Sequence, residues 1–539
     1  MGIKRYKANA NNTIVNAFKP NLRTRGTGAN CGAADVVEVY SVYGRQFVSG
    51  SGGDATQRSS ELSRVIINFP IADIETDRSN GKIPASGNVN FYLRLFNAET
   101  SKTVPKDYKL VVLPVSQSWQ EGDGLDLESY KDQTRDGIGS NWMNASSGTT
   151  WKSLGEDGVA EYEVVGGAYK TGSLADGGGV PSYEQSFATG LEDLKIDISD
   201  LVEKWISEDI DRYGVGIHLS ASYEAYFSSS YGIRKSTGSI LDNREGAQKS
   251  YYTKRFFARG SQYFFKRPVI EARWNSVKRD DRGEFYYSSS LAPAVDNLNT
   301  LYLYNYVRGR LVNIPDKGTA SEIYVSLYSG SSSPTGSKLV LSDGYTNVTG
   351  GHVSTGIYSA SLAITAASTP LTMLFDVWHN DDGSGTSNGT EYLTSSVRPK
   401  TLLGSINTRE PVYYMNITNL KDRYRSDEVA RFNLYVREKN WSPTIYTVAS
   451  KDIETISITS ASYRIFRVYD ALEAIPYETG SEFATGLSYD ISGNYFDFDM
   501  NLLDPGYAYS IKLAFYDPEL KTWSEQNETF KFRVESYEY

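Results

Sequence analysis

Apolar residues in this chain alternate with polar ones in short runs, and clusters of Gly, Ser, Asn and Asp separate the runs. Examples are Asp35-Val-Val-Glu-Val-Tyr-Ser41, Arg64-Val-Ile-Ile-Asn-Phe69, Val89-Asn-Phe-Tyr-Leu-Arg-Leu-Phe96 and Lys109-Leu-Val-Val-Leu113. A period of two turns one face of each run toward a core and the other toward water, so the pattern predicts strands throughout. The clearest helix is one or two turns long. Ile198, Leu201, Val202, Trp205 and Ile206 fall at i, i+3, i+4, i+7 and i+8, with Ser199 or Asp197 available as N-cap. Asp200, Glu203 and Lys204 make its outward face, and the helix is expected to plug one end of a sandwich core.

A chain of 539 residues exceeds what one core supports, so about two to four domains are expected. The net charge of -10 argues against general nucleic-acid binding. The aromatics are skewed toward tyrosine, with 41 Tyr against 21 Phe and 8 Trp. Tyrosine suits half-buried strands and interfaces, where the ring packs and the hydroxyl stays wet. Cys31 is the single cysteine, so no intramolecular disulfide forms, which fits folding in a reducing cytoplasm. No secretory signal follows Met1, and no stretch approaches the ~20 apolar residues that span a bilayer. Tyr6 stands where N-myristoylation needs Ser or Thr.

Landmarks are dense between Trp119 and Ile217. They read Trp119-Gln-Glu-Gly122, Asn141-Trp142, Thr150-Trp151, Ile196 through Trp205, and Tyr213-Gly-Val-Gly-Ile217. Before them stand Asn12-Thr-Ile-Val-Asn16, Thr27 through Gly32, and Arg64 to Phe69 with Ile71-Ala-Asp-Ile74; after them come Phe256-Phe-Ala-Arg259 and Arg267 through Trp274. This order resembles the DNRLRE-type jelly-roll module, a β-sandwich of secreted, carbohydrate-associated and virion proteins. The resemblance implies a jelly-roll domain over residues 11–276 that binds and positions rather than catalyses. Two Gly/Ser-rich inserts, Gly155–Gly190 and Glu224–Lys249, depart from a minimal module and read as surface loops where recognition could reside.

A charged stretch without periodicity, Asn275–Gly283, reads as a seam. Beyond it, residues 277–405 and 406–539 look like two copies of an Ig-like β-sandwich. One contains Leu301-Tyr-Leu-Tyr304, Gly356-Ile-Tyr358 and Met373 through Trp378; the other contains Val412 through Ile417, Gly493-Asn-Tyr495 and Ile511 through Tyr516. A tyrosine shortly before the last hairpin is where a tyrosine corner would sit. Residues 1–10 form a basic N-terminal arm. Lys4, Arg5, Lys7, Arg23 and Arg25 face no acidic residue in the first thirty and are the candidate partner-docking groups.

Candidate chemistry is sparse. Gly385-Thr-Ser-Asn-Gly389 matches a nucleophile elbow near His379, but its flanks read as a hairpin loop. His218, in a strand-like run, reads as structural. Glu121, Asp123, Asp126 and Glu128 could hold a structural calcium or form a solvated loop. No cofactor, metal or catalytic residue is expected. Trp142 and Trp151 are either packing landmarks or a flat platform for sugar rings, and they are the candidate glycan-binding residues.

Residues Tyr252 through Arg259 and Phe265 through Trp274 are similar to virion structural proteins of tailed bacteriophages, particularly marine T4-like phages. The resemblance implies an all-β, non-enzymatic neck, collar, fibre-attachment, tail or capsid-decorating protein. It also implies synthesis in the bacterial host cytoplasm and many copies, in a homo-oligomer or ring, against other virion proteins. The alternative is a carbohydrate-binding adhesion module for host-surface glycans, and a polysaccharide-degrading enzyme stands third. Neither nucleic acid nor a membrane is expected as partner.

Overall fold

Sheets closed over apolar cores, antiparallel except for the pairing of Arg423–Arg425 with Phe530–Glu535, build the described residues, as the period-two pattern requires. The computed structural model describes residues 2–16, 30–43, 60–100, 103–125, 138–154, 160–174, 178–224, 243, 245–247, 249–319, 322–381, 389–400, 412–439, 445, 455–518 and 520–537. They fall into two compact units, Ile3–Trp274 and, with Gly2, residues 275–537.

In the first unit the strands are β1 (Ile3–Lys7), β2 (Ala10–Val15), β3 (Val36–Tyr43), β4 (Ser60–Asn68), β5 (Asn90–Leu95) and β6 (Tyr108–Pro114). The short β7 (Asn144–Ser146), β8 (Thr149–Thr150), β9 (Lys152–Leu154) and β10 (Ala160–Glu163) follow, then β11 (Tyr183–Phe187), β12 (Leu194–Asp197), β13 (Val215–Leu219), β14 (Tyr251–Phe257) and β15 (Val269–Arg273). One sheet runs β1-β15-β5-β12, and the other runs β11-β6-β13-β4-β3-β14 with β2 paired to β4. The connections β4 to β5, β5 to β6, β11 to β12, β12 to β13 and β14 to β15 each pass between the sheets, as in a jelly roll. On β5, Phe91, Leu93 and Leu95 enter the core between the sheets while Asn90, Tyr92 and Arg94 turn outward. Val65, Ile67, Leu110, Val112, Val215 and Ile217 meet them from the larger sheet. Each such side chain contributes roughly 1.5–3 kcal/mol by leaving water.

The helix expected near Trp205 is α2 (Ser199–Ile206), with Leu201, Val202 and Trp205 buried in the core. The Asp197 carboxylate accepts the Ser199 N–H at 2.9 Å, and Ser199 Oγ accepts the Phe91 N–H at 2.8 Å, so the start is tied to β5. A second helix, α1 (Ile71–Ser79), packs beside it, and Arg78 holds Glu203 through two hydrogen bonds of 2.6 Å. Sequence periodicity does not predict α1, because its buried residues are Ile71, Ile74 and the acid Asp77.

Two expectations change here. The basic arm over residues 1–10 is instead β1 and the start of β2. Strand β1 pairs with β15 in continuous register from Ile3↔Arg273 to Lys7↔Val269, because Tyr6 is apolar enough to enter the core and β15 offers it an edge. The inserts are also more than surface loops. Val164, Val165 and Ala168 are buried in a second cluster, and Glu224 is buried as well.

In the second unit one sheet runs Asn299–Tyr304, Ile357–Leu362, Val348–Ser354, Ile323–Gly330, Leu374–His379 and Glu391–Val397. Val348–Ser354 pairs with one neighbour up to Gly350 and with the other from Gly351, so the sheet folds over its own core at this glycine pair. Further on, the sheet Tyr413–Ile417, Val429–Glu438, Gly493–Asp499 and Ser488–Asp490 accompanies the sheet Arg423–Arg425, Phe530–Glu535, Ala508–Asp517, Ala461–Arg467 and Glu473–Ile475. Phe432 and Phe496 from the first contact Phe532 and Tyr463 from the second, with centroids 5.9 and 4.2 Å apart.

Both Gly-x-Tyr motifs start a strand after a positive-φ glycine, Gly356 at 70° and Gly493 at 108°. The local corner bond belongs elsewhere: Tyr509 donates to the Asp504 carbonyl at 2.8 Å, whereas Tyr358 reaches the Gly318 carbonyl. The charged seam is a strap rather than a loose linker. Lys278 and Asp280 exchange backbone hydrogen bonds with Tyr489, Asp281 N–H donates to the Thr300 carbonyl, and Arg282 pairs with Asp376 at 2.7 Å.

Candidate functional site

The landmark residues converge on the outer side of β4. One face of this strand sends Val65 and Ile67 into the main core. The other sends Leu62, Arg64 and Ile66 against a second apolar cluster containing Val115, Trp142, Met143 and Trp151. With both faces covered, the tryptophans pack. Trp142 is 2% exposed and Trp151 is fully buried, its indole N–H donating to the Asn141 carbonyl at 2.8 Å. Neither ring can stack on a sugar, so the glycan platform expected of these two residues is withdrawn.

At the centre of this cluster lies a charge. The Arg64 guanidinium donates to both Glu224 carboxylate oxygens, at 3.0 and 2.9 Å, and to the Gly166 carbonyl at 3.1 Å. Its central carbon lies 5.6 Å from the Trp142 ring centroid and 5.7 Å from that of Tyr169, in cation–π range. Tyr169 fits because β13 carries Gly216 beneath it; a Cβ there would sit 2.0 Å from the tyrosine ring. His218 neighbours Tyr169 at 5.5 Å and donates from Nδ1 to the Leu219 carbonyl at 2.7 Å. Burial, aided by the Arg64 charge, pushes His218 down to about 4, so it is neutral at physiological pH and suited to packing rather than proton transfer. Local sequence does not mark Glu224, which begins a Gly/Ser-rich insert. The one clue was Arg64 itself, a charge in an otherwise apolar run that demands an opposite partner.

Beside this cluster, asparagines fasten three loops. Asn30 donates to the Glu121 and Ser140 carbonyls at 2.7 and 3.0 Å and accepts from the Gly32 and Gly124 N–H groups at 3.0 Å each. Asn12 donates to the Ser140 carbonyl at 2.8 Å and accepts the Cys31 N–H. Glu121, offered by sequence as a calcium ligand, is gripped by Arg259 at 2.6 and 2.5 Å and accepts the Asn11 N–H at 2.7 Å. Trp119 donates to the Tyr213 carbonyl at 2.9 Å. Asp126 and Glu128 lie outside the described residues, and among those described no group of three or more His, Cys, Asp or Glu is placed to hold a metal ion.

The candidate docking cations are engaged within the first unit. Lys4 pairs with Asp77, which also accepts from Tyr6 at 3.0 Å. Arg5 meets Glu271 at 2.5 Å, and Lys7 sits 3.4 Å from the Phe264 ring centroid. Arg94 at 3.3 Å and Arg273 at 2.6 Å share the same Glu271 carboxylate. Burial would raise that acid, but the charges of Arg5, Arg94 and Arg273 outweigh it and hold it far below the usual range. Lys4, Arg5 and Lys7 are therefore structural, because the strand that carries them runs past acids and aromatic rings that claim them. Arg23 and Arg25 lie outside the described residues.

His379 lies beside a serine, though not the one in the glycine-rich motif. Ser326 Oγ is 2.8 Å from Nε2, and Nδ1 accepts the backbone N–H of Asp381 at 3.2 Å. Since Nδ1 accepts, the ring proton sits on Nε2 and points at the serine, the opposite of what a general base needs. The motif around Ser387 lies outside the described residues. His352 donates to Asn313 at 3.3 Å. Lys254, a buried cation the sequence did not flag, donates to Asn97 Oδ1 and to the Gly190 and Glu192 carbonyls at 2.7, 3.0 and 2.7 Å. Burial lowers it to about 8.

No family model and no curated protein matches this chain. Among solved structures, a DUF4785 family protein from Legionella pneumophila aligns at 8% identity over 98% of this chain and 92% of its own, with a TM-score of 0.12. Salmonella alpha-2-macroglobulin reacted with methylamine aligns at 9% identity over 99% of this chain and 34% of its own, with a TM-score of 0.14. Scores this low relate neither fold nor function to the chain.

Proposed function

We propose that the chain is a non-enzymatic structural protein of a tailed-bacteriophage virion, present in many copies at the neck, collar, fibre attachment, tail or capsid surface. The observation that supports this best is the cross-tying of the first unit. Arg64 with Glu224, Arg259 with Glu121, and Asn30 with three loops lock the landmark residues into a fixed shape. A part that holds neighbours at set spacing needs such rigidity, and a pre-ordered surface loses little entropy on assembly. The likeness of residues 252–274 to phage virion proteins supplies the setting. The glycan-binding alternative rested on Trp142 and Trp151, and their burial removes its basis.

Mass spectrometry of washed, density-banded particles of the encoding phage tests the reading. It should find the chain at a fixed copy number, with immunogold label confined to one part of the particle. Absence of the chain from such particles ends the proposal.

A further inference from the structure

One sheet face of the second unit is rich in outward tyrosine and arginine. Strands Tyr413–Ile417 and Val429–Glu438 pair so that Tyr414 stands beside Arg437 and Asn416 beside Tyr435. Met415, Ile417, Phe432, Leu434 and Val436 point into the core. The outward positions are Tyr414, Asn416, Val429, Arg431, Asn433, Tyr435 and Arg437, without one carboxylate among them. Tyr414 is 48% exposed and Val429 64%. The next strand brings two acids to this face: Asp497, bound to Arg431 at 2.8 Å, and Asp499, opposite Val429, which accepts the Asn501 N–H at 3.0 Å.

A hairpin, Tyr306–Val307 with Arg310–Leu311, adds the exposed Arg308 and Arg310. Its Tyr306, 56% exposed, lies near enough to Arg431 to act on that guanidinium. Exposed Tyr, Arg and aliphatic residues with few acids are the composition of an interface core.

On a chain of net charge -10 this is a basic aromatic face, and the complementary surface exists on the same protein. Between Glu184 and Asp211 stand nine acidic residues and two lysines. Asp197, Asp200, Asp209 and Asp211 are exposed around the two ends of α2, where Glu208 is already paired with Arg212 at 3.4 Å.

We propose that this sheet face and hairpin dock on the acidic α2 end of the first unit in a second copy of the chain. The proposal rests on the reading above, that the protein acts in many copies, and adds which surfaces join. The two surfaces differ, so the contact is head-to-tail, and each copy keeps one of each free until a ring closes or a chain extends. Opposite charges set the register, and Tyr306, Val307, Tyr414 and Tyr435 supply the buried centre.

Sedimentation velocity of the full-length protein tests this, at about 50 mM and about 500 mM salt, where screening lengths differ several-fold. Association is expected at low salt and dissociation at high salt. Arg437→Glu/Arg431→Glu should weaken association roughly a hundredfold, with circular dichroism confirming the fold. Arg437→Glu/Arg308→Glu, which spares the Asp497 pair, should do the same. Asp200→Lys/Asp209→Lys should match them from the other side. An equimolar mixture of one variant from each side should associate again, since the unaltered faces still pair and the two reversed faces carry opposite charges. A wild-type monomer at both salts overturns the proposal, as do face variants that associate normally. A monomer retarded by polygalacturonate in affinity gels overturns it too, assigning the face to an anionic glycan. Normal association by face variants leaves the particle test standing, whereas absence from particles sinks the virion reading without touching the sedimentation result.

Discussion

The Arg64 guanidinium meets both oxygens of the Glu224 carboxylate, at 3.0 and 2.9 Å, across 160 residues of chain. This pair joins β4, in the middle of the larger sheet, to the start of the second insert. Both groups are buried, so removing one strands the other. Glu224→Ala should cost about 3–5 kcal/mol in urea unfolding. Arg64→Met/Glu224→Leu should recover most of that loss, because no lone charge remains. A single mutant as stable as wild type would show that water reaches the pair.

Trp142→Ala and Trp151→Ala should each destabilise the first unit by about 3–5 kcal/mol, the cost of a large cavity in a closed cluster. Neither should alter binding on a glycan array at temperatures where the variant stays folded. Lost glycan binding with unchanged stability would restore the platform reading and contradict the burial of both rings.

The first unit should weaken on mild acidification. His218 is lowered to about 4 from an ordinary value near 6.5, so the unfolded chain takes up its proton first. Its stabilising contribution is complete above about pH 6.5. It is lost progressively as pH falls toward 4, by roughly 1–3 kcal/mol. Amide hydrogen exchange of β13 and β6 against pH reads this directly. His218→Gln should flatten the profile.

The strap of the second unit responds in the opposite sense. Asp280 is buried and raised to about 6 by that burial, which outweighs the Arg282 charge, while Asp490 and Asp376 push the same way as burial. The folded state therefore holds this proton where the unfolded chain has released it. Stability from Asp280 is complete below about pH 4 and is lost as pH rises through about 6. Asp280→Asn should stabilise the second unit by roughly 1–3 kcal/mol at pH 7, seen as slower exchange of the amides around Tyr489. Equal protection of these amides at pH 5 and pH 7 in the wild type, after division by the intrinsic rate, would contradict it.

What could be read in the sequence follows from range. Strand β5 and helix α2 announce themselves because alternation and the 3.6 period are local consequences of facing one core. Helix α1 does not, since two isoleucines and a buried acid make no stripe. Trp142 and Trp151 stay ambiguous in sequence because a flat indole serves a core as well as a sugar, and only the coverage of both faces of β4 decides. The cations of β1 are ambiguous in sequence for a different reason. Asp77 and Glu271, which claim Lys4 and Arg5, lie far along the chain, so charge counting within the first thirty residues finds no partner. Ser326 beside His379 is likewise a product of strand register, set by pairing between Ile323–Gly330 and Leu374–His379.

Asn30 offers the sharpest test of whether the landmark loops act as one body. Its side chain fills the space against Gly122 and Gly139, whose φ values of 84° and 86° no other residue adopts cheaply. A Cβ on either glycine would sit 2.4 Å from the Asn30 amide. The amide uses donors and acceptor together, bonding carbonyls of Glu121 and Ser140 and N–H groups of Gly32 and Gly124. Asn30→Asp keeps the shape but turns two donations into repulsion between carboxylate and carbonyls. It should cost about as much as Asn30→Ala, on the order of 2–4 kcal/mol, although it is nearly isosteric. Limited proteolysis should then cut near Gly122 and Gly139 in both variants and not in the wild type. If Asn30→Asp were as protected as wild type, the loops would be held by their own backbone rather than by this amide, and the rigidity that favours a spacing role would need another source.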